Sequence, residues 1–301
     1  MKAPAIVRAL RPHQWAKNVL VFVPLLLGHR WDDPAGLRAA LLAFLAFSVT
    51  ASAVYVINDL LDIEADRQHP TKKTRPFAAG TLRVAAGPPL AVLLLGTAGA
   101  LSATLLPWRF SMLLLGYAAL AIAYSLWLKR LLLVDVFALT SFYVLRLLGG
   151  AYATGTPLSE WLPAFAGFLL TSLAFAKRYA ELAVAADANV EQKLVGRAYH
   201  VVDLSVIETV GPTSGYMAVL VLALYINSSE VAALYENPVM LWLVCPVVLF
   251  WITRLWFLAK RRQLHEDPVI FALTDRTSLV AGMITAVLAG LAMQGWGPSL
   301  P

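Results

Sequence analysis

Nine apolar runs, each of about twenty residues or slightly fewer, recur along the whole of this 301-residue chain. That length matches the hydrocarbon thickness of a bilayer. There every backbone N–H and C=O must be satisfied within the segment, so the runs predict membrane-spanning α-helices. They fall near 14–28, 36–57, 86–105, 108–127, 131–152, 158–176, 207–227, 238–258 and 277–296, the first being short. Composition agrees: 59% of residues are hydrophobic and 14% charged, against about 45–50% and about 25% in soluble domains. The expected fold is all-α and integral to the membrane, one domain over residues 1–301, with nine transmembrane helices bundled around a central cavity. Residues 1–13 lack an apolar core and a small-residue cleavage site, so no secretory signal peptide is expected.

Charge sets the orientation. Most of the 24 basic residues fall in alternate loops, among them Lys2, Arg8, Arg11 and Lys17, then Arg67 to Arg83, then Lys129 and Arg130. Lys177 to Arg197 and Lys260 to Arg276 continue the alternation, whereas the opposite face holds Arg30, Arg38 and Arg109. The positive-inside rule then puts the chain in the plasma (inner) membrane with its N-terminus cytoplasmic and its C-terminus outside. The net charge of +6 is accounted for by topology, and nucleic-acid binding is not needed to explain it. The single cysteine, Cys245, lies in an apolar run and excludes an intrachain disulfide or a cysteine metal cluster. The inner loops are long and polar and the outer ones short, so the cavity is expected to open to the cytoplasmic side. Homo-oligomers are compatible with the sequence.

The chemistry concentrates in residues 58–80, which hold four acids and four bases. Asp59, Asp62 and Asp66 are spaced i, i+3, i+7 and would share one helix face, where like charges repel unless a cation joins them. Mg²⁺ takes oxygen ligands and carries phosphate oxygens in its remaining sites. The three aspartates are therefore candidate metal ligands, with Asn58 as a neutral donor. The bland reading is a charge-rich helix end. Lys72, Lys73 and Arg75 suit the phosphates of a bridged diphosphate. Glu64 points to the other face, and His69 is a weak candidate.

Further candidates for substrate phosphates are Lys17 in the first run, Lys129 beside Tyr124 where the fourth run meets an inner turn, Arg146 within the fifth run, and Lys177 and Arg178 ending the sixth. The competing reading of Lys17 and of Lys129 with Arg130 is a positive-inside anchor. Lys177 and Glu181 could form a surface ion pair at i, i+4. Asp135 and Arg146 are expensive in a membrane and functional by default. Asp267 to Arg276 reads as a structured loop or helix cap. The five histidines have no metal-ligand spacing.

The run Asn58-Asp-x-x-Asp-x-x-x-Asp66 resembles the first aspartate-rich motif of the UbiA superfamily of intramembrane prenyltransferases. Tyr124-Ser-x-x-x-Lys129 is similar to that superfamily's tyrosine–lysine motif. A narrower resemblance, to the decaprenyl-phosphate phosphoribosyltransferase branch, rests on four stretches: Arg11-Pro-x-Gln-Trp-x-Lys-Asn18, Asp66-Arg-x-His-Pro-Thr-Lys-x-x-Arg-Pro-x-Ala-Ala-Gly80, Ala176-Lys-Arg-Tyr-Ala-Glu-Leu182, and Asp267-Pro to Ala272-Leu-x-Asp-Arg276. The resemblance implies a pentosyltransferase that moves 5-phosphoribose from phosphoribosyl pyrophosphate to a polyprenyl phosphate, with Mg²⁺ as cofactor and pyrophosphate as by-product. Aromatic prenyltransferases of the superfamily carry a second Asp-x-x-x-Asp motif after the sixth span. This chain has Lys177-Arg178 there, with only a loose echo in Asp187-x-x-x-Glu191.

On that reading Asp59 and Asp62 with Lys73 and Arg75 are catalytic, and Asp59, Asp62 and Asp66 hold the metal. Asn58, Lys17, Lys72, Tyr124, Lys129, Arg146, Lys177 and Arg178 bind substrates. The alternatives are an aromatic prenyltransferase using an isoprenyl diphosphate and, from another class, a lipid or phosphate-ester transporter. The one-sided polarity counts against the transporter.

Overall fold

The computed structural model describes residues 4–68, 71–187, 197–264 and 268–295. His69, Glu191 and Asp267 lie outside them. Among the described residues the chain forms helices and no strand. In order, the α-helices are α1 (Ala5–Leu10), α2 (Val23–Leu27), α3 (Pro34–Leu61), α4 (Ile63–Gln68), α5 (Gly87–Leu105), α6 (Trp108–Leu126), α7 (Val134–Thr154), α8 (Trp161–Asp187), α9 (Leu204–Ile226), α10 (Ser229–Leu234), α11 (Val244–Lys260), α12 (Pro268–Thr274) and α13 (Arg276–Met293). Short 3₁₀ segments join several of them.

Seven of the described helical segments are long and apolar enough to cross a bilayer, so the chain is a multi-pass integral membrane protein. They match seven of the nine expected runs. The run at 158–176 lies in α8, whose 27 residues continue past the apolar stretch into Lys177, Arg178 and Glu181. The run at 14–28 is instead a 3₁₀ helix over Pro12–Phe22 followed by the short α2. Pro24 has no N–H to give the Leu20 carbonyl, so the α-helical ladder cannot pass it, and the Val23 N–H takes that carbonyl in a three-residue step.

The chain packs as two compact units, Met1–Leu158 and Ser159–Pro301. In the first, α3 is the central element, packed against α5, α6 and α7. Asp33 caps its start by accepting from the Ala35 N–H at 3.0 Å, and Pro34 occupies the first helical position. Its 28 residues extend about 42 Å, more than the roughly 30 Å hydrocarbon core. The polar end at Asn58 to Leu61 therefore has length enough to stand clear of the apolar layer. Phe47 of α3 is fully buried and meets Phe110 and Tyr117 of α6 edge-on, at centroid distances of 5.6 and 5.1 Å.

The 3₁₀ stretch lies against α3 and α7, and small residues let it approach closely. A Cβ on Gly150 of α7 would stand 2.0 Å from the Val21 carbonyl oxygen, a rigid backbone atom. Gly150→Ala is therefore expected to destabilise the unit by about 1–3 kcal/mol, as overpacking does. The check is a thermal melt in detergent against Gly155→Ala, whose added Cβ meets nothing within 4 Å but carries the cost of a positive φ.

In the second unit α8 packs along α9, α9 on α11, and α11 on α13. Gly211 and Gly215 of α9 face Trp256 and Ile252 of α11, and the Trp256 indole donates to Ser172 Oγ at 3.0 Å. Asp275 is the N-cap of α13, as the helix-cap reading expected: it accepts from Ser278 N at 2.8 Å and pairs with Arg254 at 2.7 and 3.1 Å. Burial, the largest single influence, pushes the Asp275 carboxyl up. The Arg254 guanidinium and the Ser278 bonds outweigh it and hold the group below the ordinary carboxylate range. A depressed folded pKa contributes stability above the unfolded value and loses it as pH falls through the folded one. The wild-type melting temperature is thus expected to drop on acidification below about pH 4 by more than that of Asp275→Asn. At neutral pH the variant keeps its cap, since asparagine caps as well as aspartate, and should lose up to about 1 kcal/mol with the charge that pairs with Arg254.

Candidate active site

The acidic residues gather where α3 ends. The three aspartates do not lie on one uninterrupted helix as expected: α3 stops at Leu61 with Asp62 as its C-cap (φ −102°, ψ 13°), and α4 begins at Ile63. The N–H groups of Asp62 and Asp66 still bond the carbonyls of Asn58 (3.0 Å) and Asp62 (2.8 Å), so the turn is kept while the helix axis is interrupted. Two causes act together. Asn and Asp compete with helical backbone bonds, and carboxylates sit badly at the negative C-terminal pole of a helix.

That unfavourable placement is offset by bases from three distant segments. Arg11, preceding the 3₁₀ stretch, bonds Asp59 Oδ1. Arg75, in the loop after α4, reaches Asp59 Oδ1 at 3.3 Å and Asp66 Oδ2 at 2.6 Å. Lys129, after α6, bonds both Asp62 oxygens at 2.8 and 3.1 Å and Asn58 Oδ1 at 3.5 Å. Asp59 and Asp66 are 2% and 3% exposed, so these are largely desolvated pairs in which geometry matters. One atom is left over: Asp59 Oδ2 is buried with no hydrogen-bond partner. Among the described residues no group of three or more Asp, Glu, His or Cys side chains is close enough to hold a metal ion by itself. The orphaned Asp59 oxygen is nonetheless a donor of the kind a hard divalent cation accepts.

Arg8, given only a topological role by the charge pattern, and Arg11, which opens the Arg-Pro-x-Gln-Trp stretch, line a cavity of about 340 Å³ with His13, Thr71, Lys72, Thr74, Arg75 and Pro76. Lys73 is exposed in the 3₁₀ turn Lys72–Thr74, and Glu64 is exposed on α4. Lys17 is half-buried in the 3₁₀ stretch, and Tyr124 stacks edge-on against Phe142 at 5.5 Å. Each nitrogen of Arg146 is bonded inside the protein: Nε to Asn18 Oδ1 (2.6 Å), Nη1 to the Phe142 carbonyl (2.6 Å) and Nη2 to the Tyr117 hydroxyl (2.7 Å). Asp135 is buried in the first turn of α7, where the helix dipole favours a carboxylate. In the second unit Arg178 is fully buried and pairs with Glu181. The Tyr179 hydroxyl donates to Glu208 at 2.7 Å, and Lys260 bonds the same carboxylate at 2.5 Å. The signal that marked Arg11 was its place directly before Pro12 in the Arg-Pro-x-Gln-Trp stretch.

Residues 19–279 match the UbiA prenyltransferase family. The chain is 40% identical over 285 residues to a protein of Sinorhizobium fredii, covering 94% of this chain but only 55% of that one. It is 36% identical over 276 residues to the nodulation protein NoeC of Azorhizobium caulinodans, covering 90% of this chain and 88% of that one. To the decaprenyl-phosphate phosphoribosyltransferase of Mycobacterium tuberculosis it is 39% identical over 184 residues, covering 60% of this chain and 61% of that one. Its fold is similar to that of a UbiA homolog from Archaeoglobus fulgidus bound to DMAPP and Mg²⁺, with a TM-score of 0.71, 17% identity, and coverage of 96% of this chain and 98% of that one.

Proposed function

The chain belongs to the UbiA prenyltransferase family, and within that family of membrane enzymes we propose that it transfers 5-phosphoribose from phosphoribosyl pyrophosphate to a polyprenyl phosphate. The observation that carries this reading is the cationic set at the acidic helix end. Arg11, Arg75 and Lys129 contact Asp59, Asp62 and Asp66 directly, and Arg8 and Lys72 stand beside them. A diphosphate bridged by a metal needs few such bases, whereas a donor with an additional phosphate needs more. The relationship to the Mycobacterium tuberculosis enzyme supports the same choice.

In the reaction the bond from ribose C1 to the diphosphate oxygen breaks, its electron pair leaves with pyrophosphate, and an oxygen of the acceptor phosphate bonds C1. The acceptor is already anionic near neutral pH, so no general base is required. Arg75 and Lys73 stabilise the negative charge that grows on the leaving group. Asp59, Asp62 and Asp66, with Asn58, would hold Mg²⁺, whose chemistry there is neutralisation of the diphosphate. Arg11, Arg75 and Lys129 then exchange carboxylate partners for phosphate oxygens, which keeps the buried charges paired throughout. Lys17, Tyr124 and Lys129 of the first unit are further candidates for holding substrate phosphates, and Lys177 and Arg178 are the candidates that the second unit offers. The bundle opens to the cytoplasm, with the N-terminus inside and the C-terminus outside.

A second reading is favoured by the fold neighbour bound to DMAPP and Mg²⁺: prenyl transfer from an isoprenyl diphosphate to an aromatic acceptor. Purified protein in detergent, given labelled phosphoribosyl pyrophosphate and polyprenyl phosphate with and without Mg²⁺, distinguishes them. Lipid-linked label that depends on Mg²⁺ is expected. No such label, with turnover of an isoprenyl diphosphate onto an aromatic acid, would replace the first reading by the second.

A further inference from the structure

The basic cavity beside the acids has properties the acidic cluster does not share. Arg8 and Arg11 come from the N-terminal segment and Lys72 and Arg75 from the loop after α4. The described residues lining the cavity include no carboxylate. Its two walls are tied by Arg8 Nη2, which donates to the Thr74 carbonyl at 3.1 Å. Arg11 is held in the left-handed region (φ 50°, ψ 59°), an uncommon conformation for a residue with a side chain. In it the guanidinium lies over the Tyr55 ring, 4.9 Å from the centroid, and bonds Asp59. Arg11 is the left-handed C-cap that ends α1, and residues held in this region cluster at active sites and ligand clamps.

Resting on the phosphoribosyl reading above, we propose that this cavity binds the 5-phosphate of the donor, apart from the diphosphate at the carboxylates. A phosphate monoester carries about −1.5 to −2 charge near pH 7 and three acceptor oxygens. Arg8 and Lys72 supply cations for these. Arg11 and Arg75 line the cavity and also touch Asp59, so the same two guanidinium groups border both phosphate subsites and fix the ribose between them. The volume of about 340 Å³ is at the small end for a ligand cavity. Apart from the stems of the polar side chains, its apolar lining is Pro76, which gives the first isoprene units of a lipid phosphate nothing to pack on.

The test uses the full-length protein in detergent, with ribose 5-phosphate as the binding probe. Calorimetric titration is expected to show that it binds the wild type, and that Arg8→Gln, at a half-buried position, and Lys72→Gln, at an exposed one, each weaken it about tenfold or more. In turnover the same variants should raise KM for phosphoribosyl pyrophosphate by a similar factor and leave KM for polyprenyl phosphate within about twofold. Unchanged ribose 5-phosphate affinity in both variants overturns the assignment, as does a rise in KM for the lipid alone, which would give the cavity to the acceptor phosphate. Binding that weakens as expected in a protein that makes no phosphoribosyl lipid would uphold the cavity and reject the proposed reaction.

Discussion

Asp59→Asn is expected to lower the rate of transfer by about 10²–10³-fold, in the range found when one preorganised electrostatic group is removed from an active site. Asparagine keeps the shape and one acceptor oxygen, so Arg11 and Arg75 retain a hydrogen-bond partner. What is lost is the charge, together with the buried Oδ2 that has no partner inside the protein. Removing one member of a buried ion pair costs about 3–5 kcal/mol when both partners are desolvated. Here the side chains of Arg11 and Arg75 are 17% and 22% exposed, and Arg75 keeps Asp66, so the stability loss should be well below that range. The variant should therefore stay folded and fail in chemistry. A Mg²⁺ titration of activity separates the outcomes: the metal concentration for half-maximal rate should rise steeply in Asp59→Asn. Full activity at the wild-type Mg²⁺ concentration would remove Asp59 from the site altogether.

How much of this site could be read from the chain depends on the distance over which each feature is determined. The acids at 59, 62 and 66 were legible because charge is rare in an apolar chain and local spacing is enough to draw attention to it. Their partners were not. Arg11 and Arg75 lie 48 and 16 positions from Asp59, and although the Arg-Pro-x-Gln-Trp stretch singled out Arg11 and the diphosphate reading singled out Arg75, no local pattern joins either to a particular carboxylate. The break at Asp62 was invisible for a related reason: periodicity assumes the helix continues, whereas the carboxylates themselves oppose the helix dipole at its end. The first apolar run was legible as a hydrophobic segment but not as a 3₁₀ helix. Its backbone is placed by Pro24 and by the bare face of Gly150, more than a hundred residues away. By contrast the cap at Asp275 was visible as an Asp-Arg pair before an apolar run, because capping is local.

Arg146 divides the sequence reading from the structural one most sharply, and its substitution should give the largest loss of stability. An arginine inside an apolar run reads as a ligand for phosphate. In the structure it is 6% exposed, with bonds to Asn18, Phe142 and Tyr117, and its guanidinium lies 5.0 Å from the Tyr117 ring centroid. Asn18 is itself buried and donates to Ser48 at 2.9 Å, so Arg146 joins the 3₁₀ stretch, α3, α6 and α7. Two effects compete on replacing it with methionine. The expense of holding a charge at membrane depth, about 2.5–3.5 kcal/mol on insertion scales, disappears. Asn18 Oδ1 and the Tyr117 hydroxyl lose their partner, at about 1–3 kcal/mol each, and a packed cation–π contact goes as well. The charge was inserted already paired, so little of the first term is recovered, and Arg146→Met should destabilise by about 3 kcal/mol. The added changes Asn18→Leu and Tyr117→Phe remove the orphaned groups and should restore much of the melting temperature, since a buried polar network replaced as a whole by apolar side chains is often neutral. A structural tie therefore predicts recovery of both stability and donor KM in the triple variant. Recovery of stability with donor binding still lost would make Arg146 a phosphate ligand and return it to the role its sequence position suggests.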